Sequence, residues 1–291
     1  MKPLDVLMAI AVPLIWGMGI VFAKAAINHF PPILLMAFRF LLTAAVLVWF
    51  VRPPWHLMRE IFWIALVSAA IQYSLTFTGL AGLDASTAAL VVQAEVPFGA
   101  LLAWIVFKDR LGWRRAFGML VAFVGIAIIA GRPQLAGSMP SVALVLAGAF
   151  SWAVGQVMVK RLGHVGGFTL IAWVAVVATP QLFIASWIFE EGQLDAIKSA
   201  GPLVWGVVAY LGLVMTAVGY AMWYRLLGFY DVTQVMPFLL LIPVAGVVGG
   251  VVVLGESLTA ALLLGGAIVI VGVACIVVEP ASLRVRREAA R

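Results

Sequence analysis

Residues 86–107 read STAALVVQAEVPFGALLAWIVF, a nearly continuous apolar run with one glutamate placed two residues before a proline. The run is longer than the about 20 apolar residues that a helix needs to cross a hydrocarbon core of ~30 Å. In a bilayer the carboxylate of Glu95 is costly, and Pro97 removes one backbone hydrogen bond from the helix. The solvent around this run therefore decides both the fold and the meaning of Glu95.

Composition places the chain in a membrane. Of its 291 residues, 65% are hydrophobic and 10% are charged, whereas about 25% of a typical soluble domain is charged. The net charge of +6 comes from basic residues spread through short loops, which fits membrane topology and not a nucleic-acid-binding face. Cys275 is the single cysteine, and His29, His56 and His164 lie at or near loop ends. We therefore expect no disulfide, no metal site and no nucleic-acid partner.

Charged, Pro-rich and Gly-rich breaks divide the chain into ten apolar runs of membrane-spanning length. The predicted spans are 4–26, 32–51, 60–80, 85–107, 113–131, 141–160, 168–189, 202–227, 232–254 and 258–278. With a cytoplasmic N-terminus, fourteen of the 18 Lys and Arg residues fall on the cytoplasmic side, and only Arg132 and Lys198 on the other. Because cytoplasmic loops carry an excess of positive charge, the sequence predicts an all-α membrane protein with both termini in the cytoplasm.

The chain also contains an internal repeat. WGMGIVFAK at 16–24 aligns with WAVGQVMVK at 152–160. A second ordered series relates Pro97, Asp109, Leu111, Gly118 and Gly125 to Pro243, Glu256, Leu258, Gly265 and Gly272. These matches predict two five-helix repeats, residues 1–134 and 137–280, followed by a basic cytoplasmic tail at 281–291. Because five is odd, the second repeat is inverted, and inverted repeats around a central cavity are typical of secondary transporters.

Four segments carry a resemblance to a known family: PLIWGMGIVFAK (13–24), MAFRF (36–40), VPFGALLAWIVFKDRLGW (96–113) and IPVAGVVGGVVVLGESLTAALLLGGAIVIVG (242–272). They resemble the EamA family of the drug/metabolite transporter (DMT) superfamily over nearly the whole chain. The resemblance implies ten helices around a central cavity and export of small metabolites through a bacterial inner membrane. The tryptophans and VVQAEVPF make the chain most similar to amino-acid exporters, including those for aromatic amino acids. One departure is Lys108-Asp109, where the family usually has Gly-Glu.

Polar and deep aromatic residues at helical spacing predict the walls of the cavity, because lipid-facing positions carry polar groups only at a cost. The predicted substrate-binding residues are Trp16, Gln72, Tyr73, Thr76, Gln93, Glu95, Trp152, Gln156 and Tyr220. For the polar residues the alternative is hydrogen bonding between helices, worth about 0.6 kcal/mol each. For the aromatic residues the alternative is ordinary core packing.

Two charges lie at similar depth in the first repeat. At 1.5 Å per residue, Glu95 is about 13 Å and Arg39 about 10 Å from the outer ends of their helices. We predict that they form an ion pair, directly or through water, because an unpaired buried charge costs several kcal/mol. The alternative is that Glu95 faces the cavity, where it binds a substrate ammonium group or takes up a proton.

Prolines and end charges complete the candidate residues. Pro97, Pro237 and Pro243 interrupt spans and are interpreted as hinges, with static kinks as the alternative. Lys24 is expected to extend to the lipid headgroups, with a contact to a substrate carboxylate as the alternative. Glu256 is expected to act as a helix-end or fold-stabilising charge.

Taken with the resemblance, these features predict an amino-acid exporter of broad range that prefers neutral and aromatic substrates. It would work by alternating access and carry no cofactor. An intramembrane enzyme is disfavoured, since Glu95 is the one acid deep within a span and no histidine is central. Export of another small metabolite and a passive channel remain alternatives. The expected partners are the substrate and the lipid bilayer; the oligomeric state is left open, and a monomer is compatible with the sequence.

Overall fold

The computed structural model describes residues 1–108, 112–131, 138–163, 165–230 and 232–278. Within these residues the regular structure is entirely helical. The membrane-spanning helices are α1 Pro3–Ile27, α2 Pro32–Phe50, α3 Trp55–Ala81, α4 Ala85–Phe107, α5 Trp113–Ala130, α6 Met139–Leu162, α7 Gly167–Phe189, α8 Pro202–Phe229, α9 Met236–Leu254 and α10 Ala260–Val277. The predicted all-α fold with ten spans is confirmed. The predicted tail at 281–291 lies outside the described residues.

Prolines set the start of several spans. Helices α1, α2 and α8 begin at Pro3, Pro32 and Pro202. The first helical turn suits proline because its missing N–H has no helical acceptor there and its φ is preset. Helix α3 begins at Trp55 and not at the predicted residue 60, because a short 3-10 turn extends it. A separate short helix, Gln193–Ser199, lies between α7 and α8.

The two five-helix halves interlock through equivalent contacts. Helix α1 of the first half packs against α8 and α9 of the second, and α6 of the second half packs against α3 and α4 of the first. Helix α5 packs against α10, and α2 against α7. Exchanging the two halves reproduces the same set of contacts, as inverted repeats require.

Glycines bring the backbones of α5 and α10 into direct contact. Gly118 faces Gly272, and Gly125 faces Gly265. A Cβ atom on Gly125 would lie 2.7 Å from the carbonyl oxygen of Gly265 and 2.7 Å from the backbone nitrogen of Val269. Close backbone approach through small residues is a main source of helix association in lipid, where apolar burial contributes little.

Matching irregularities occur in both halves. Helix α3 contains the π-helical segment Leu66–Ile71, and α8 contains the π-helical segment Tyr210–Val218. Helix α4 contains the 3-10 turn Val92–Ala94, and α9 begins with the 3-10 segment Met236–Leu240. Irregular backbone at membrane depth is tolerated only where protein covers it or a cavity lies beside it.

Each π-helical segment is hydrogen-bonded by the opposite half. The hydroxyl of Ser151 on α6 donates to the carbonyl of Val67 in α3 at 2.7 Å. The hydroxyl of Thr43 on α2 shares its one hydrogen between the carbonyl of Gly212 in α8, at 3.0 Å, and the carbonyl of Arg39 on its own helix, at 2.9 Å. Carbonyl groups in the irregular turns thereby gain partners across the boundary between the repeats.

At the end of the bundle remote from the termini, Glu190 joins α7 to the start of α2. Its carboxylate accepts the backbone N–H groups of Ile33 at 2.6 Å and Leu34 at 3.0 Å, and the hydroxyl of Ser186 at 2.7 Å. Burial raises the pKa of the Glu190 carboxyl, and these three hydrogen bonds oppose the rise. A carboxylate here accepts hydrogen bonds from N–H groups that have no helical acceptor. Its negative charge is also stabilised by the positive end of the α2 helix dipole.

Glu256 caps α4 in the same way at the same end. Its carboxylate accepts the backbone N–H groups of Ala85 at 2.5 Å and Ser86 at 2.9 Å. Gly250 leaves the space for this contact, because a Cβ atom there would collide with the Glu256 carboxylate. The prediction that Glu256 is a helix-end charge is confirmed, and the helix that it caps is α4.

Lys24 bonds to the end of a neighbouring helix. Its Nζ donates to the carbonyls of Leu80 at 3.1 Å and Ala81 at 3.0 Å, at the carboxyl end of α3. The predicted extension to the headgroups stays a prediction. The ends of α1 and α3 converge, so that the ammonium group reaches carbonyls of the last turn, at the negative end of a helix dipole.

Gly125→Ala is expected to lower the free energy of unfolding by about 1–3 kcal/mol, because the new methyl group must push apart the backbones of α5 and α10. Thermal or denaturant unfolding of the purified protein in detergent measures the change. Gly206→Ala in α8 is the control, since no heavy atom lies within 4 Å of its added Cβ atom. Equal stability of the two variants would contradict the close packing of α5 on α10.

Candidate substrate-binding cavity

A cavity of about 370 Å³ lies between the two halves, within the range of small-molecule sites. Its apolar lining is formed by Ile20, Phe77, Leu80, Ala88, Val92, Val96, Gly99, Met215, Met236, Leu239, Leu240, Ile242, Val273 and Val277. Its polar, charged and larger aromatic lining is formed by Trp16, Arg39, Gln72, Tyr73, Thr76, Gln93, Glu95, Trp152 and Tyr220. Every span except α5 and α7 contributes to this wall.

The predicted substrate-binding residues mostly lie in this wall. Trp16, Gln72, Tyr73, Thr76, Gln93, Glu95, Trp152 and Tyr220 line the cavity. Their contact with a substrate stays a prediction. Arg39 is an addition, since the sequence placed it in an ion pair and not at the cavity. The apolar lining carried no sequence signal, because apolar residues fill lipid-facing positions equally well.

Gln156 does not line the cavity. It is exposed on α6, although Trp152 one turn earlier faces inward. Gly155 packs directly on Ser68 of α3, and this contact fixes the rotation of α6 with Gln156 pointing outward. The structure therefore places Gln156 outside the cavity wall.

Trp16 is the centre of an aromatic group beside the cavity. Its ring centroid lies 4.9 Å from that of Tyr220 and 5.8 Å from that of Trp223. Its indole N–H donates to the carbonyl of Met215 at 3.0 Å. Because this bond uses the only polar atom of the indole, the ring forms a fixed apolar wall.

Gln72 presents an unused acceptor. Its side chain is 4% exposed, and its Nε2 donates to the Thr76 hydroxyl at 3.2 Å. Its Oε1 has no hydrogen-bond partner within the described part of the chain. A buried acceptor without a partner is costly, so this oxygen can bind a donor group of a ligand or a water molecule.

Arg39 is a buried cation in the cavity wall, 1% exposed. Its Nε donates to the hydroxyl of Thr216 at 3.1 Å, and its Nη2 to the hydroxyl of Tyr73 at 3.3 Å. The guanidinium carbon lies 4.7 Å from the centroid of the Tyr73 ring. Neutral hydroxyls and an aromatic face thus stabilise the charge without neutralising it.

The π-helical turn of α8 positions Thr216 for this contact. The Thr216 hydroxyl donates to the carbonyl of Leu211, five residues earlier, at 2.8 Å. With its hydrogen directed there, the hydroxyl oxygen is an acceptor for Arg39. An α8 residue of the second repeat therefore orients a cation of the first, and π turns of this kind are frequent at functional sites.

Glu95 reaches the cavity from α4, at the point where the regular helix resumes after the 3-10 turn. It forms no ion pair with Arg39: Arg39 bonds to hydroxyls instead. The predicted ion pair is therefore wrong as a direct contact. Both residues line the same cavity. This placement agrees with the alternative prediction, in which Glu95 faces the cavity.

The three candidate hinge prolines lie at the irregular turns. Pro97 and Pro243 each follow the 3-10 turn of their helix, and Pro237 lies within that of α9. The carbonyls of Gln93 and Leu239, four residues before Pro97 and Pro243, cannot receive the usual helical hydrogen bond. Both of these residues line the cavity. The hinge role of the prolines stays a prediction.

Ten apolar helices in two inverted repeats, with a small-molecule cavity between the repeats, define a multi-pass membrane transporter. The chain belongs to the EamA-like transporter family, whose model matches residues 4–131 and 139–278. The resemblance that the sequence motifs predicted is confirmed.

Individual relatives agree with this family. A protein of Salmonella typhimurium named "Probable amino-acid metabolite efflux pump" is 30% identical, over 98% of this chain and 97% of the relative. A protein of the same name from Escherichia coli is also 30% identical, over 92% of this chain and 93% of the relative. The biotin transporter of Escherichia coli is 28% identical over 67% of this chain and 64% of the relative. One crystal structure superposes with a TM-score of 0.66 and 20% identity over 99% of both chains, which shows the same fold.

Glu95→Gln is expected to leave the melting temperature unchanged or to raise it. The substitution removes a carboxyl group with which no cation of the described residues pairs, and it keeps the shape of the side chain. The melting temperature of the purified protein in detergent is the measurement. A fall in melting temperature that Arg39→Met reverses in the double variant would show that the two charges stabilise each other.

Proposed function

We propose that this chain exports amino acids across a bacterial inner membrane, with a broad preference for neutral and aromatic side chains. The observation that carries the proposal is the lining of the cavity. Its walls are mostly apolar and aromatic, yet they hold one cation, Arg39, and one carboxylate, Glu95, that do not pair with each other. A zwitterion with an apolar side chain matches such a lining. The two relatives named as amino-acid metabolite efflux pumps support the same substrate class.

Alternating access is the mechanism that the inverted repeats favour. Equivalent helices carry equivalent π-helical and 3-10 segments, so that the two halves can exchange conformations at similar energy. We propose that α4 and α9 bend at these turns. Pro97 and Pro243 are matched in the two halves, and Pro237 adds a second break in α9.

The cavity extends toward the end of the bundle that carries the termini. Met236 and Val277, at that end of α9 and α10, are half-buried lining residues. At the opposite end the lining residues Leu80 and Ala88 are each 1% exposed. With the termini in the cytoplasm, as the distribution of Lys and Arg favours, this conformation would load substrate from the cytoplasm before export.

A different small metabolite is the second candidate substrate. The biotin transporter among the relatives supports a substrate that also carries a carboxylate on an apolar body. Export of such a compound would use the same cavity and the same exchange of the repeats. A passive channel and an enzymatic activity are the remaining alternatives, and membership of a transporter family disfavours the latter.

Purified protein in liposomes is expected to move radiolabelled phenylalanine and leucine with saturation, and to show counterflow against an internal amino-acid load. Saturation and counterflow separate a carrier from a channel. Protein-free liposomes are the control, and biotin is the comparison substrate. Amino-acid flux no greater than that of protein-free liposomes would refute the proposed function.

Pro97→Ala and Pro237→Ala are each expected to slow transport several-fold while weakening substrate binding much less, because a continuous helix resists bending. Transport rates in liposomes and binding by thermal shift give the two quantities. Pro180→Ala is the matched control, since Pro180 lies inside α7, is exposed and does not line the cavity. Unchanged rates in both hinge variants would count against bending at these sites.

A further inference from the structure

We propose that Arg39 binds the carboxylate of the transported amino acid and thereby restricts the cavity to substrates that carry one. The proposal rests on the proposed function, because it assigns one pole of a zwitterionic substrate to a specific side chain. Arg39 is a cation of the cavity lining, and the residue is 1% exposed.

The Arg39 guanidinium has N–H groups that are not hydrogen-bonded to oxygen atoms of the described residues. Of its five N–H groups, one bonds to the Thr216 hydroxyl and one to the Tyr73 hydroxyl. Nη1 makes only a weak contact of 3.9 Å with the sulfur of Met36. At least two N–H groups on the Nη atoms therefore remain for a ligand. Arginine presents such groups in a planar fork that matches the two oxygens of a carboxylate.

The positive charge of Arg39 is not neutralised by the protein. Within the described residues no carboxylate reaches ion-pair distance, and the oxygen partners are both neutral hydroxyls. A buried charge without a counter-charge is costly, and the cost falls when a ligand supplies the missing charge. An anionic group of a ligand would therefore be stabilised at this wall of the cavity.

Arg39 is also held in place from both repeats. Tyr73 belongs to α3 of the first repeat, and Thr216 belongs to the π-helical turn of α8 in the second. The guanidinium is thereby pre-oriented, which lowers the entropy lost on binding. A carboxylate bound to Arg39 would sit where the two repeats meet.

The opposite pole of an amino acid has a partner in the same cavity. The carboxylate of Glu95 on α4 lines the cavity and forms no ion pair with Arg39. The free Oε1 of Gln72 is a further acceptor for an ammonium group. An α-amino acid carries both an ammonium group and a carboxylate, so that the cavity lining offers a possible partner for each. The apolar and aromatic walls then receive its side chain.

Three probes that share a phenyl ring separate these contacts. L-Phenylalanine carries both charges, L-phenylalaninamide lacks the carboxylate, and 3-phenylpropionate lacks the ammonium group. Each is tested as a competitor of radiolabelled phenylalanine uptake into liposomes that contain wild-type protein, Arg39→Gln or Glu95→Gln. The readout is the ratio of inhibition constants between probes, which a merely structural role of either residue would not change.

For wild-type protein, phenylalanine is expected to compete about 10- to 100-fold better than phenylalaninamide, the range for lost hydrogen bonds between charged groups. Arg39→Gln should weaken phenylalanine to the level of phenylalaninamide and leave phenylalaninamide itself unchanged. Glu95→Gln is the matched control. This variant should still bind phenylalanine better than phenylalaninamide, but it should no longer bind phenylalanine better than 3-phenylpropionate. Arg39→Lys should retain part of the carboxylate preference, because it keeps the charge but not the planar fork.

The outcomes distinguish this proposal from the function on which it rests. If wild-type protein moves phenylalanine but phenylalaninamide competes equally well, the assignment of Arg39 fails and amino-acid transport stands. The assignment also fails if Arg39→Gln or Arg39→Lys weakens both probes by the same factor. If wild-type protein moves no amino acid, the proposed function fails. If Arg39→Gln does not fold, the comparison of wild-type protein with Arg39→Lys decides the question.

Discussion

Backbone N–H and C=O groups that cross a bilayer must find their hydrogen-bond partners inside the protein, because hydrocarbon offers none. This constraint explains where the ten helices depart from regularity. The π-helical segments of α3 and α8 and the 3-10 segments of α4 and α9 lie between the two repeats or beside the cavity. Side chains of the opposite repeat, such as Ser151 and Thr43, donate to carbonyls in the π-helical segments. The irregular turns therefore lie where the opposite repeat or the cavity is beside them.

The same constraint shapes the ends of the bundle. Helix ends carry unpaired N–H and C=O groups even where the helix interior is satisfied. Remote from the termini, Glu190, Glu256 and Lys24 bond to such groups on neighbouring helices. Each contact bonds the end of one helix to a neighbouring helix that also packs against it.

Sequence reasoning found most of the polar cavity wall, because a polar side chain in an apolar span needs a protected place and the cavity supplies it. Sequence reasoning was wrong where the position of a side chain depends on the helix that packs against it. Depth along a helix placed Arg39 and Glu95 at one level, but their partners depend on the rotation of α2 and α4. Arg39 instead meets Thr216, far away in the chain, through a π-helical turn that no local pattern announced. Gln156 lies outside the cavity wall because the contact of Gly155 on α3 sets the rotation of α6.

The sequence by itself determined that this is a membrane protein, that it crosses the membrane ten times and that it consists of two related halves. Those properties depend on each segment separately, since every span must be apolar enough to enter hydrocarbon on its own. Only the tertiary structure decided which side chains share the cavity, which charges remain unpaired and which helix ends are bonded together. These depend on contacts such as that between Trp16 and Tyr220, which join residues from opposite halves and are set by the packing of whole helices.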